Sequence, residues 1–333
     1  LAHYLGAIIE VMIRDMRRIN SALHDVDLCP MGAGAITTSG FDLDRGLMAE
    51  LLGFRDCVEN SYGAIAACDY ITASYSALKL SCIHLGRFVQ DLATWTGSEI
   101  SQLYVPDGFV QVSSIMPQKR NPVPTEHMRL MFSLAAGGAN QIIDTMHNTP
   151  FADMNDSERE TQSTGHQVFD RMNRALKLLS GFVDAVQVNK ASVKKRIDDS
   201  LATITELADG MVRHEKINFR QAHAIAHLIA KTSIKGKIPL KKFSYDSYCK
   251  YFESEIGSAP RMKPLDFKRV SDPGHFVDVR KLRGGPSRNA MLESLKKYKR
   301  QSEEIYTTSF KYNERISMAD RLREDTARNL FIH

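Results

Sequence analysis

The residues at positions 111–122, Gln-Val-Ser-Ser-Ile-Met-Pro-Gln-Lys-Arg-Asn-Pro, gather several chemically useful groups into one short stretch. Two adjacent hydroxyls, Ser113 and Ser114, are followed by a cation, Lys119, and an amide, Asn121. Small residues let the backbone approach a ligand closely. Lys119 could counter a carboxylate, and Asn121 could donate to a second oxygen. Such a stretch can cradle an anion with a serine beside it. On spacing alone the alternative is an exposed loop whose lysine is merely solvated.

The elements that must position this loop read as helices. Residues 66–96 contain one glycine and no proline, and put Ile71, Tyr75, Leu78, Cys82, Leu85 and Leu92 along one side. Residues 122–146 and 157–180 have the same rhythm, with Gly165 the only breaker in the second, and residues 182–209 contain neither Gly nor Pro. Period-2 alternation is almost absent, so the expected class is all-α: a long central helical bundle followed by a smaller helical domain. The composition shifts near residue 200 toward shorter helices and breakers, which suggests domains at 1–197 and 198–333. Three long polar loops, 29–45, 105–124 and 147–158, exceed what a bundle needs for connection, and loops of that length tend to carry function.

Bulk properties narrow the options. The 333 residues carry a net charge of +5, but the densest basic run, Lys194-Lys195-Arg196, leads directly into Ile197-Asp198-Asp199. That is the pattern of a solvated helix face, and it argues against a nucleic-acid partner. No apolar run approaches the ~20 residues of a membrane span, so no membrane partner is expected. Five cysteines, Cys29, Cys57, Cys68, Cys82 and Cys249, form no close pair in sequence and no metal-type spacing. No metal or cofactor is expected, and the odd, scattered set fits a reduced, cytoplasmic protein. The chain opens without Met and already in helical rhythm, with Leu5, Ile8, Ile9, Met12, Ile13 and Met16 on one stripe, as if entered partway.

The stretch Ser-Ser-Ile-Met-Pro-Gln-Lys-Arg-Asn-Pro resembles the signature of the aspartase/fumarase superfamily, whose members eliminate fumarate from succinyl compounds. Residues 29–45, 52–64, 202–225 and 271–291 resemble, in the same order, segments of its argininosuccinate lyase branch. The resemblance covers nearly the whole chain and implies the superfamily's central bundle. It also implies a lyase that releases fumarate from an N-substituted aspartate, either argininosuccinate or a relative with another amine.

Residue by residue, the resemblance makes Ser113 one member of the acid/base pair, and makes Lys119 the cation that balances carboxylate charge. Asn121 would bind the substrate carboxylate, with Ser114 and Gln118 in support. Glu126 would pair with the catalytic histidine and raise its basicity, although a carboxylate in the first turn of a helix is also favourable in its own right. The histidine belongs to a motif just upstream of the segment that residues 1–8 resemble, and the N-terminal third of the family pattern has no counterpart here. His3, His24, His84, His127 and His147 match no catalytic family histidine and are expected to be structural or exposed. The family's sites are shared between subunits of a homotetramer, which implies the same self-association here.

Departures from the pattern concern the substrate. Phe151, Asp156 and Arg159 stand where the branch carries tyrosine, glutamine and lysine against the arginine half of argininosuccinate. Val112, Val123 and Cys68 replace a glycine, an aspartate and an arginine. Val112, being β-branched, limits the backbone angles open to a mobile loop. These changes leave the elimination machinery largely intact. They also keep two alternatives open: a C–N lyase for a different aspartate adduct, and a non-catalytic structural homologue of the lens-protein kind.

Overall fold

The computed structural model describes residues 1–116, 118–155 and 158–330, with the side chains of Glu158, Glu160 and Leu330 excepted. Helices, two short 3-10 turns included, hold 71% of the described residues, which bears out the all-α expectation. In chain order, among the described residues, they are α1 (Ala2–Val26), α2 (Arg45–Leu52), α3 (Ser61–Ala66), α4 (Asp69–Thr96), α5 (Val123–Thr145), α6 (Glu158–Ala185) and α7 (Lys190–Ser200), then α8 (Ile204–Glu215), α9 (Phe219–Gly236), α10 (Tyr245–Ile256), α11 (Pro264–Val270), α12 (Pro273–Asp278) and α13 (Arg288–Leu330). The strands are two-residue pieces: β1 (Leu28–Cys29), β2 (Asp56–Cys57), β3 (Leu103–Tyr104), β4 (Gln111–Val112), β5 (Arg120–Asn121) and β6 (Gln187–Val188). They pair as β1 with β2 in parallel, and as β3 with β6 and β4 with β5 in antiparallel fashion.

The chain forms two compact units interleaved in sequence. One contains Ala7–Thr94, Val105–Val186 and the chain from Lys296 onward. Its helices carry heptad seams of buried residues. On α4 these are Leu78, Cys82, Leu85, Val89 and Leu92, on α5 Met128, Phe132, Ala135, Ala139 and Ile142, and on α6 Val168, Met172, Ala175, Leu179 and Phe182. Alternating steps of four and three residues keep one stripe facing its neighbours, the geometry of a helical bundle. Of the six residues expected on one side of α4, Leu78, Cys82, Leu85 and Leu92 are buried, while Ile71 and Tyr75 are half-buried. Gly165 sits in the interior of α6 because Tyr75 crosses there: a Cβ at that position would lie 2.1 Å from the tyrosine oxygen. A second lock joins α1 to α4, where buried Asp15 accepts from His84 Nδ1 at 2.9 Å and from Arg18 at 2.7 Å.

The other unit contains Leu1–Gly6, Trp95–Tyr104 and Gln187–Leu295. Its core is built from Leu207, Met211, Ala222, Ile225, Ile229, Tyr248, Phe252 and Phe267. Buried Glu215, at the end of α8, accepts from the Tyr248 hydroxyl at 3.0 Å and from the backbone N–H groups of Arg261 and Met262 at 2.6 and 2.7 Å. The basic run on α7 is held locally. Lys195 pairs with Asp199 at 2.7 Å, and Arg196 donates to the Ile100 carbonyl at 2.9 Å.

The breaker-free stretch 182–209 is not one helix. It breaks at β6 and again at Leu201, a buried residue in the left-handed region at φ 50°. Asn189 starts α7 by accepting from Ser192 N–H at 3.2 Å, so a side-chain cap does the work that Gly or Pro would otherwise signal. After residue 200 the helices shorten as expected until α13, whose 43 residues make it longer than the bundle helices.

Candidate active site

The Ser-Ser-Ile-Met segment, residues 113–116, follows the first strand of a short antiparallel pair. Strand β4 pairs with β5 in the register Gln111 with Asn121 and Val112 with Arg120. Ser113 and Lys119 each stand one position beyond the last rung; Pro117 lies outside the described residues. Arg120 braces the hairpin from below, donating to Asp107 Oδ1 at 2.5 Å and to the Val105 carbonyl at 2.8 Å.

Within the loop, Ser113 is half-buried, and its Oγ accepts from the backbone N–H groups of Met116 at 3.1 Å and Ile115 at 3.3 Å. Lys119 N–H donates to the Met116 carbonyl at 2.9 Å and closes the turn. Two N–H groups directed at one hydroxyl oxygen favour that oxygen when it carries negative charge, which is the feature a serine base requires. Lys119, one position before Arg120 of β5, is exposed to solvent.

The remaining expected site residues fall on neighbouring and distant elements. Ser114, Gln118 and Lys119 are exposed, and Asn121 is half-buried in β5. Glu126 is exposed in the first turn of α5, which begins immediately after Pro122 with a second proline, Pro124, in its opening turn. Prolines there cost no helical hydrogen bond, so the hairpin passes directly into the bundle helix. Val112 is 60% exposed in β4.

Phe151 and Arg159 lie past the far end of α5. Phe151 is exposed, and its ring stacks on Tyr62 with centroids 5.8 Å apart. The Tyr62 hydroxyl donates to the Phe151 carbonyl at 3.0 Å. Arg159 is exposed at the start of α6, and Asp156 lies outside the described residues. From Glu126 to Thr145, α5 rises roughly 30 Å at about 1.5 Å per residue. The hairpin and the Phe151 segment thus occupy opposite ends of one helix.

Two residues that motif reasoning passed over are Arg120 and Tyr62. Arg120 sits inside the signature but reads as a second generic cation, because its brace to residues 105 and 107 depends on hairpin register. Tyr62 is 89 positions from Phe151 and gives no local signal of the pairing. Among the histidines, His84 is committed to Asp15, and His3 Nε2 lies 2.8 Å from the Gly284 carbonyl. His127 and His147 are exposed.

Comparison with known proteins accords with this arrangement. A family profile described as "Lyase" matches residues 1–137, and one described as "Argininosuccinate lyase C-terminal" matches residues 201–278. Argininosuccinate lyase 2 of Agrobacterium fabrum is 49% identical over 297 residues, covering 89% of this chain and 59% of that protein. Argininosuccinate lyase of Methanosarcina barkeri is 33% identical over 303 residues, covering 91% of this chain and 60% of that protein. The chain therefore spans about three-fifths of the length of these relatives. Among solved structures, EDDS lyase in complex with formate superposes with a TM-score of 0.88 at 24% identity, covering 98% of this chain and 65% of that one. A class II fumarase from Schistosoma mansoni superposes with a TM-score of 0.56 at 15% identity, covering 76% of this chain and 58% of that one, a likeness of fold. With both profiles matched in order and ordered segments shared along the chain, this protein belongs to the argininosuccinate lyase branch of the fumarase/aspartase superfamily.

Proposed function

We propose that the protein of which this chain forms part eliminates fumarate from an N-substituted aspartate, argininosuccinate or a close analogue. The observation that carries this reading is the Ser113 oxygen held by two backbone N–H groups at the neck of a loop that ends in Lys119. Ser113, ionised, takes the proton from the carbon next to the carboxylate that becomes part of fumarate. The resulting aci-carboxylate carries two negative charges, which Lys119 and Asn121 stabilise, with Ser114 and Gln118 supporting the loop. The C–N bond then breaks, fumarate forms, and the amine leaves with a proton from the second acid/base group. Glu126 supports that second group. No metal or cofactor takes part in this scheme.

The separation along α5 bears on how such a site is completed. A small substrate cannot touch both the hairpin and the Phe151–Arg159 segment of one chain when roughly 30 Å of helix lies between them. If both segments serve one reaction, they come from different copies. Exposed apolar residues on the bundle support self-association: Leu80 and Ile83 on α4, Leu130 and Leu134 on α5, and Ile316, Met318 and Leu322 on α13. We assign the assembly as a homotetramer with shared sites, placed in the cytoplasm. Phe151 on Tyr62, with Asp156 and Arg159, receives the amine side of the substrate.

The direct test is fumarate release, followed by ultraviolet absorbance, from the protein in its full natural length with a panel of N-substituted aspartates. Ser113→Ala is expected to lower turnover by at least ~100-fold with an unchanged melting temperature, as for loss of an acid/base group. Near-normal turnover in Ser113→Ala would remove this serine from the mechanism. Absence of fumarate from every adduct, in a folded oligomer, would leave the fold without the activity.

A further inference from the structure

Cys29 and Cys57, 28 positions apart in the sequence, meet in the structure. They form one rung of the parallel β1–β2 pair, in direct register. Neighbouring strands lie about 4.8 Å apart, and residues in register send their side chains to the same face. That spacing falls inside the ~4.4–6.8 Å between Cα atoms that a disulfide bridges. Both cysteines are free thiols; Cys29 is fully buried, and Cys57 is half-buried.

The rung is held at both ends. Before it, Asp27 accepts from Arg55 N–H at 3.1 Å and takes both carboxylate oxygens to Arg315 of α13 at 2.5 Å, while Arg315 Nε donates to the Gly53 carbonyl at 3.0 Å. After it, Arg45 straps the two segments together, donating to the Met31 carbonyl at 3.2 Å and to the Val58 carbonyl at 2.8 Å. Val58 N–H donates to the Cys29 carbonyl at 3.0 Å. The strands cannot slip, so the two sulfurs stay on neighbouring backbones. Neither cysteine is among the candidate site residues named above.

The geometry points to Cys29 and Cys57 as a peroxide-oxidised thiol pair that closes into a reversible intrachain disulfide. Half-buried Cys57 is the sulfur a small peroxide reaches. Its thiolate attacks one peroxide oxygen, an S–O bond forms, the O–O bond breaks, and hydroxide leaves as water with the thiol proton. The sulfur is oxidised by two electrons to a sulfenic acid, and the peroxide is reduced. Cys29 then attacks that sulfur, the S–S bond forms, the S–O bond breaks, and a second water leaves with the Cys29 proton. In sum, two thiols and one hydrogen peroxide give one disulfide and two waters, and a dithiol reductant restores the thiols. The bond would clasp the base of the loop between β1 and α2, residues 30–44.

Peptide mapping tests this on the full-length protein. After treatment with hydrogen peroxide at a small molar excess, remaining thiols are alkylated and the chain is cut with trypsin and a glutamate-specific protease. Cleavage after Glu59 separates Cys57 from Cys68, which sits in no such rung. The expected product is a peptide pair joined through Cys29 and Cys57 in most molecules. It should run as a single chain on a non-reducing gel, be lost on adding dithiothreitol, and be absent from Cys57→Ser, in which Cys29 stays alkylatable. Recovery of both residues as alkylated thiols in the wild-type protein would overturn the proposal. So would over-oxidation of Cys57 without linkage, or a link between two chains.

Discussion

In the proposed mechanism Ser113 is a weak base made usable by placement. A free hydroxyl holds its proton far too tightly near neutral pH, and the sequence offers nothing beside it except another serine and a lysine six positions on. The fold adds the two N–H groups of Ile115 and Met116, which the motif could not disclose because they depend on how the loop turns. Arg120 is the residue that holds that turn against Val105 and Asp107. Arg120→Ala should therefore lower turnover about 10-fold while leaving Ser113, Lys119 and Asn121 in the chain, since about 1 Å of misplacement is enough to cost activity on this scale. Arg120→Lys, which can reach only one partner at a time, should recover part of it. Steady-state fumarate release would show this as a fall in kcat larger than any rise in KM. An unchanged kcat in Arg120→Ala would mean the hairpin keeps its shape without the brace. The motif singles out Ser113, Lys119 and Asn121 and the family resemblance adds Glu126, whereas the hairpin that carries the first three was not legible in the sequence. Strands of two residues are shorter than any periodicity can register, and their pairing rests on contacts across a loop.

At the level of elements, the bundle was readable because a helix announces its buried face at every turn. Leu78, Cys82, Leu85 and Leu92 recur at helical spacing, and all four are buried. Elsewhere tertiary contacts override the local pattern. Leu201 takes a left-handed backbone to bury its side chain, and Cys29 meets Cys57 only through a clamp that includes Arg315 of α13. Gly165 was legible as a breaker, and its reason lies in Tyr75. Gly165→Ala should destabilise the bundle by roughly 1–2 kcal/mol, because the added methyl meets the tyrosine oxygen and overpacking outweighs the gain in helix propensity. Tyr75→Phe in the same chain removes that oxygen and should restore most of the loss in thermal melts. Equal destabilisation of the single and double variants would contradict this contact.

The core around Glu215 adds a pH signature. Burial, reinforced by the neighbouring Glu215 carboxylate, pushes the Tyr248 hydroxyl well above its ordinary value of 10.0. Tyr245 is pushed up to about 12, chiefly by burial. A raised value in the folded state means that the stabilisation is complete below pH 10 and is lost as the pH climbs through the folded values. Unfolding followed by tyrosinate absorbance should therefore steepen between pH 10 and 12. Tyr248→Phe should flatten that dependence while lowering stability near neutral pH, since Glu215 then loses one donor. An alkaline limb of unchanged steepness in Tyr248→Phe would assign the effect elsewhere.

For the whole molecule, the helix that makes the bundle also separates the two halves of the proposed site. The hairpin begins α5, the Tyr62–Phe151 stack lies beyond its end, and the exposed apolar faces of α4, α5 and α13 call for neighbours. None of this separation was visible in the motifs, which gave the order of the segments without their distances. A shared site requires that one reaction draw Ser113 and Arg159 from different copies. The measurement is fumarate release from two full-length variants, Ser113→Ala and Arg159→Ala, assayed alone and after being mixed, dissociated and reassembled. Each variant alone is expected to be nearly inactive. In random mixed oligomers about a quarter of the sites then combine both wild-type residues, because each arrives independently with even odds in a closed symmetric assembly. Recovery toward that fraction is the predicted result. Mixed oligomers that form but regain no activity would contradict a site shared between chains.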